Sequence, residues 1–128
     1  MPCYVEAYQA SGSQDFARVA RETCDYVLRE MTDPAGGFYS TQDADSEGVE
    51  GKFFIWTPET LSEVLGPAAA RKFAHVYDVS PQGNFEHGQS ILNRPKPLAE
   101  CAQALNVDST ELAAELAESR AKLYAARE

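Results

Sequence analysis

The sequence predicts a mainly α-helical fold with one inserted β-hairpin, and three observations lead to this prediction. Apolar residues recur at helical spacing over several segments, most clearly along the stretch that follows Ser13. Residues that favour helix ends separate these segments, with Ser, Thr or Asp before them and Gly or Pro near their boundaries. The segments 38–40 and 52–56 are instead rich in aromatic and β-branched residues, which is typical of strands.

Two helices are predicted before the strands. The first covers residues 3–10 and is ended by Gly12, and the second begins after Ser13 and continues to about Met31. The turn sequence Asp-Pro-Ala-Gly-Gly at 33–37 then stops the second helix, because neither Pro nor Gly supports helix continuation.

The strands and the acidic stretch between them form the next predicted unit. Phe38–Ser40 and Lys52–Trp56 are expected to pair, and the acidic residues 41–51 then form a long hairpin loop. Four helices are predicted afterwards. They are expected after the cap Thr57, from Pro67, from Pro97 or Leu98 to Leu105, and after the cap Asp108.

Length, charge and motifs exclude several classes of protein. The chain has 128 residues, enough for one domain, and its formal net charge of −9 argues against nucleic acid or an anionic membrane as a partner. No apolar run is long enough to cross a bilayer, and a secretion signal is not recognisable. The motifs Cys-x-x-Cys, G-x-S-x-G and the nucleotide-binding glycine loops are missing from the sequence. We therefore expect a cytoplasmic protein, and we assign it no cofactor and no metal.

The acidic stretch is the most informative feature for function. Its four carboxylates, Asp43, Asp45, Glu47 and Glu50, lie close to aromatic residues on the flanking segments. Carboxylates beside aromatic rings suit sugar binding, acid/base catalysis or coordination of a hard cation. An EF-hand is disfavoured because the twelfth position counted from Asp43 is occupied by Phe54. An irregular calcium or magnesium site and a merely solvated acidic turn remain open alternatives.

A second polar cluster follows at residues 82–93. It contains Asn84, Glu86 and His87, and as a loop it is able to approach the same site as the acidic stretch. Imidazole groups are common bases and ligands in proteins, so His87 is a candidate for either role, but a lone loop histidine is more typical of a surface residue.

The run Gly-Gly-Phe-Tyr-Ser-Thr-Gln-Asp-Ala-Asp-Ser-Glu-Gly at 36–48 resembles a known family. The segments 83–86 and 90–93 are similar to the next block of that family, which includes spermatogenesis-associated protein 20 and bacterial thioredoxin-domain-containing relatives. The resemblance implies a larger parent, with a thioredoxin-like domain followed by an α/α toroid related to six-hairpin glycosidases and N-acylglucosamine 2-epimerase. Residues 1–128 then form part of that (α/α)6 toroid, a partial six-hairpin glycosidase-like domain without the thioredoxin-like domain.

Two functional hypotheses follow from these features. In the first, the chain contributes to a carbohydrate-binding or carbohydrate-processing site of a glycosidase-like or epimerase-like parent, while the fragment alone is inactive. Asp43 and Asp45 are then the candidate catalytic residues, and the candidate substrate-binding residues are Tyr39, Glu47, Glu50, Trp56, Asn84 and Glu86. In the alternative, the chain is a non-catalytic structural or interaction segment whose acids cap helices or bind a cation. In both cases the expected partners are the rest of the parent and, because a partial ring leaves apolar faces uncovered, further copies of the chain.

Overall fold

The computed structural model describes residues 1–43, 45–46 and 48–127, with the side chains of residues 45, 46, 49 and 50 outside the description. The chain divides into two compact units, Met1–Asp43 and Ala44–Glu128, which we call the N-terminal unit and the C-terminal unit. As predicted, the fold is mainly helical and includes a small antiparallel hairpin.

The N-terminal unit is a pair of packed helices. Helix α1 covers Pro2–Ser11 and helix α2 covers Gln14–Glu30, so both predicted helices are confirmed. Gly12 ends α1 with a φ of 68° and donates its N–H to the carbonyl of Tyr8 at 2.8 Å. Glycine adopts the left-handed conformation at little energetic cost, and this conformation allows the sharp turn between the helices.

The segment after α2 folds into a tight turn. Thr32 and Phe38 form an isolated antiparallel bridge, and Gly36 and Gly37 between them both have a φ of 96°. The Asp33 carboxylate accepts the N–H of Ala35 at 2.8 Å, which closes the turn.

Among the described residues of the C-terminal unit there are four short strands and two 3-10 turns. Strand β1 (Asp45–Ser46) pairs with β2 (Val49–Glu50), and β3 (Ile55–Trp56) pairs with β4 (Ser90–Ile91), both antiparallel. The 3-10 turns cover Lys52–Phe54 and Glu86–Gly88.

The predicted pairing of Phe38–Ser40 with Lys52–Trp56 is therefore wrong. Phe38 is bridged to Thr32, and the second segment is shortened because Gly51, at a φ of 71°, leads into a 3-10 turn. Only Ile55 and Trp56 remain extended, and their partners come from the later loop. The hairpin that does form lies inside the acidic stretch itself.

The four predicted helices of the C-terminal unit are confirmed. They are α3 (Pro58–Leu65), α4 (Pro67–Tyr77), α5 (Leu98–Leu105) and α6 (Ser109–Ala125). Thr57 and Thr60 form a capping box at the start of α3. Asp108 caps α6 by accepting the N–H groups of Thr110 at 2.8 Å and Glu111 at 3.0 Å.

The core of the C-terminal unit lies where these helices pack together. Leu61, Phe73, Val76 and Leu112 are completely buried, and the rings of Phe73 and Tyr77 stack at 4.3 Å. Full burial of a large apolar side chain contributes about 1.5–3 kcal/mol each. This core packs α3 against α6 and includes Trp56 of the aromatic segment 52–56 considered below.

Candidate functional site

The acidic stretch is described only in part. Asp43 is exposed at the end of the N-terminal unit, and Glu47 lies outside the described residues. Asp45 and Glu50 are cross-strand partners in the β1–β2 hairpin, although their side chains are not described. Acidic residues directly opposite each other disfavour a hairpin, so their presence there lacks an evident benefit for folding.

Tyr39 is a predicted site residue that is held by two hydrogen bonds. Its hydroxyl donates to the Asp33 carboxylate at 2.6 Å, and its backbone N–H donates to the carbonyl of Met31 at 2.8 Å. The ring is nevertheless 48% exposed. The Tyr39 ring is therefore exposed at the surface while its hydroxyl is hydrogen-bonded to the Asp33 carboxylate.

Hydrogen bonding changes the acidity of both groups in this pair. The Tyr39 hydroxyl, followed by the Ala35 N–H, stabilises the charged carboxylate and lowers the pKa of Asp33. The same bond raises the pKa of Tyr39, because ionisation of the phenol would remove the proton that it donates to the Asp33 carboxylate. Near neutral pH the pair thus consists of a neutral phenol and a negative carboxylate.

The N-terminal unit contains further polar and aromatic groups besides the Tyr39–Asp33 pair. The Tyr26 hydroxyl donates to the side-chain carbonyl of Gln42, and Phe38 is 68% exposed. Sequence reasoning treated Asp33 only as part of a helix stop and missed its bond to Tyr39. The turn sequence Asp-Pro-Ala-Gly-Gly at 33–37 was a signal for this contact. Such a turn folds the chain back, so that residues 38 and 39 come close to Asp33.

Trp56, a candidate substrate-binding residue, is buried. Its side chain is 8% exposed, and the Arg127 guanidinium lies 5.1 Å from its ring centre. Stacking of a sugar on Trp56 stays a prediction, and it would require part of this ring to become accessible.

The side chain of Asn84 holds the second polar loop together. Its Oδ1 accepts the N–H of Ile91 at 2.8 Å, and its Nδ2 donates to the carbonyl of Ile91 at 3.0 Å. The same Nδ2 lies 3.3 Å from the carbonyl of Asp78. Glu86 is exposed in the neighbouring 3-10 turn. Asn84 therefore has a clear local role, and a sugar contact by either residue stays a prediction.

The predicted site residues are divided between the two units. Tyr39 and Asp43 belong to the N-terminal unit, and the remaining described ones belong to the C-terminal unit. Across the described residues, no group of three His, Cys, Asp or Glu side chains is placed to hold a metal ion. The same part of the chain contains no helix with the length and apolarity needed to span a bilayer.

The chain is thus mainly helical, with aromatic and carboxylate side chains on its loops. Comparisons with known proteins show which proteins it is similar to. No protein-family model matches the chain. It is 34% identical to spermatogenesis-associated protein 20 of Rattus norvegicus and 29% identical to that of Mus musculus; each match covers 70% of this chain and 14% of the relative. The Homo sapiens protein is 35% identical over 48% of this chain and 9% of its own length. The chain is thus homologous over part of its length to a protein several times longer.

Proposed function

We propose that this chain is part of a longer protein, in which residues 1–128 belong to a six-hairpin glycosidase-like (α/α)6 toroid and a separate thioredoxin-like domain is present. The mainly helical architecture and the homology to longer relatives support this proposal. In it, the chain contributes to a carbohydrate-binding or carbohydrate-processing site of a cytoplasmic, glycosidase-like or epimerase-like parent.

The observation that supports carbohydrate binding most strongly is the Tyr39–Asp33 pair. A pyranose presents an apolar C–H face and a rim of hydroxyls, and it is therefore complementary to an exposed aromatic ring bordered by carboxylates. Tyr39 supplies such a ring, and its bond to Asp33 reduces the side-chain entropy that is lost when a ligand stacks on it. Asp43, exposed four residues further on, supplies a second carboxylate as a hydrogen-bond acceptor.

Two substitutions of Tyr39 test this proposal. Tyr39→Ala removes the ring, whereas Tyr39→Phe keeps the ring and removes only the bond to Asp33. Tyr4→Ala is the matched control, because Tyr4 is 43% exposed in the same unit. A panel of mono- and disaccharides is titrated into each variant of the chain and followed by amide NMR shifts.

The proposal expects at least one sugar to bind the unmodified chain, with binding lost in Tyr39→Ala and weakened in Tyr39→Phe. Tyr4→Ala should bind as the unmodified chain does. Absence of binding by every sugar, or equal loss in Tyr4→Ala, would contradict it.

Self-association is a second part of the proposal, and it rests on the apolar surface of the N-terminal unit. Ala17 is the one residue of α1 and α2 that is buried, while Tyr4, Val5, Phe16 and Leu28 are each at least 36% exposed. Exposed apolar surface of this kind favours association. We propose that copies of the chain cover it in solution, and that the rest of the parent does so in the longer protein. Sedimentation at increasing concentration should then show a rising mean mass, whereas a constant monomer mass would contradict the proposal.

A further inference from the structure

The C-terminal unit contains a cavity lined by aromatic and basic side chains. It has a volume of about 250 Å³ and is bordered by the 3-10 turn Lys52–Phe54, strand β3, helix α3 and the chain after α6. Its lining includes Lys52, Phe53, Trp56 and Arg127. We call it the aromatic cavity.

Arg127 brings a partly buried positive charge to this cavity. Its guanidinium lies 5.3 Å from the ring centre of Phe53, 5.8 Å from that of Phe54 and 5.1 Å from that of Trp56. Burial lowers the pKa of Arg127, but a guanidinium stays charged at neutral pH. The aromatic faces attract the cation and offset part of its lost hydration.

Within the part of the chain that the structure describes, Arg127 has an N–H group without an acceptor. Its Nε is buried and has no acceptor among the described residues, and the same part of the chain provides no ion-pair partner for Arg127. A partly buried cation without an anionic partner has lost part of its hydration, so an anionic acceptor brought by a ligand would be favoured here.

Trp56 provides a second, independent indication of a missing acceptor. Its indole N–H can only donate, its side chain is 8% exposed, and the nitrogen is buried without a partner among the described residues. Trp56 and Arg127 both line the aromatic cavity, and each has an N–H donor without a partner among the described residues. Thr60, which also lines it, does not compensate because its hydroxyl is bonded to the backbone of Thr57.

We propose that the aromatic cavity binds a carboxylate carried by an aromatic or other apolar group. The carboxylate oxygens accept from the Arg127 and Trp56 N–H groups and neutralise the guanidinium, while the apolar part packs against the ring of Phe53. Trp56 is also a candidate sugar-binding residue, but this inference rests on the cavity and on Arg127 and does not depend on carbohydrate binding. The carboxylate can come from a small organic acid or from the C-terminus of a peptide.

The single tryptophan of the chain gives a direct test, because its indole N–H produces one NMR resonance at the proposed site. Phenylacetate and N-acetylphenylalanine represent the two sources of carboxylate, and the corresponding neutral amides are the ligand controls. Each compound is titrated into the 128-residue chain, and the indole and backbone amide shifts are recorded.

We expect saturable movement of the indole resonance with at least one carboxylate and little with its amide. Tighter binding of phenylacetate would indicate a small organic acid, and tighter binding of N-acetylphenylalanine would indicate a peptide C-terminus. If neither carboxylate moves the resonance, or the amides act equally, the proposal is overturned.

Two substitutions of Arg127 and one control define the role of the cation. Arg127→Met should weaken carboxylate binding at least about tenfold, as expected for loss of a charge-assisted hydrogen bond. Arg127→Lys, which keeps the charge but loses the planar donor group, should also bind more weakly than the unmodified chain and serves if Arg127→Met does not fold. Arg71→Met makes the same charge change on the exposed side of α4 and should leave binding unchanged. Equal affinity of the Arg127 variants and the unmodified chain would overturn the assignment.

Discussion

Lys72 on α4 and Glu115 on α6 form an ion pair between elements that are distant in sequence. The Lys72 ammonium lies 2.7 Å and 2.6 Å from the two carboxylate oxygens of Glu115. The side chains are 26% and 38% exposed, so solvent screens the pair only in part.

This geometry predicts a measurable but modest coupling between α4 and α6. In a double-mutant cycle with Lys72→Met and Glu115→Gln, we expect a coupling free energy of about 0.5–1 kcal/mol, because partly exposed ion pairs contribute little. Denaturant unfolding of the four variants measures it. Strictly additive effects of the two substitutions would show that the pair does not stabilise the unit.

Capping of α6 by Asp108 predicts a pH-dependent contribution to stability. The N–H groups of Glu111 and Thr110 lower the pKa of Asp108 in the folded chain. Its contribution is therefore fully present above the pKa of the unfolded state, about 3.9, and is lost as the pH falls through the lower folded value. Asp108→Asn keeps the accepting oxygen but does not titrate.

Melting temperatures of the unmodified chain and Asp108→Asn, measured between neutral pH and acid, check this expectation. The advantage of the unmodified chain should decrease as the pH falls below about 3.9. A difference that stays constant over the whole range would show that the cap does not depend on the charge of Asp108.

Gly83 is predicted to be intolerant of substitution because two constraints act on it. Its φ is 70°, and a Cβ atom there would collide with the carbonyl oxygen of Gln89 and lie 2.5 Å from the carbonyl carbon of Gly88. Gly51 has a φ of 71°, but a Cβ atom at that position would meet nothing within 4 Å, so Gly51→Ala isolates the conformational cost.

We expect Gly51→Ala to lower the free energy of unfolding by about 1–2 kcal/mol, the cost of a left-handed alanine. Gly83→Ala should lower it by about 3 kcal/mol or more, since backbone must also move. Thermal and denaturant unfolding measure both. Equal losses in the two variants would mean that the loop 83–89 adjusts without cost.

Leu61 tests whether the helical core is the main source of stability. It is fully buried, and Leu61→Ala should lower the free energy of unfolding by about 2–5 kcal/mol because a cavity remains. Leu28→Ala is the control, since Leu28 is 63% exposed and the change should lie within about 0.5 kcal/mol. Similar losses at both positions would contradict the assignment of the core.

Local signals made most of the helices predictable. The limits of α5 and the caps Thr57 and Asp108 follow from neighbouring residues, and the structure confirms them. Strand pairing was not predictable in this way, because the partner of Ile55–Trp56 comes from Ser90–Ile91, far along the chain.

The residues of the candidate sites were predictable only where the interacting groups are close together in the sequence. Tyr39 was identified from its neighbourhood of acids, but its bond to Asp33 depends on the turn geometry at 33–37. Arg127 gave no signal in the sequence, since its contacts with Phe53 and Trp56 arise only when the chain after α6 reaches the segment 52–56. Tertiary packing, not residue type, creates that cavity.

The central claim is that the ordered, exposed ring of Tyr39 forms part of a carbohydrate-binding surface. The most direct measurement maps amide shift changes over the chain at saturation with the best-binding sugar. We expect the largest changes to fall within residues 33–43. Changes centred elsewhere, with residues 33–43 unaffected, would contradict this claim.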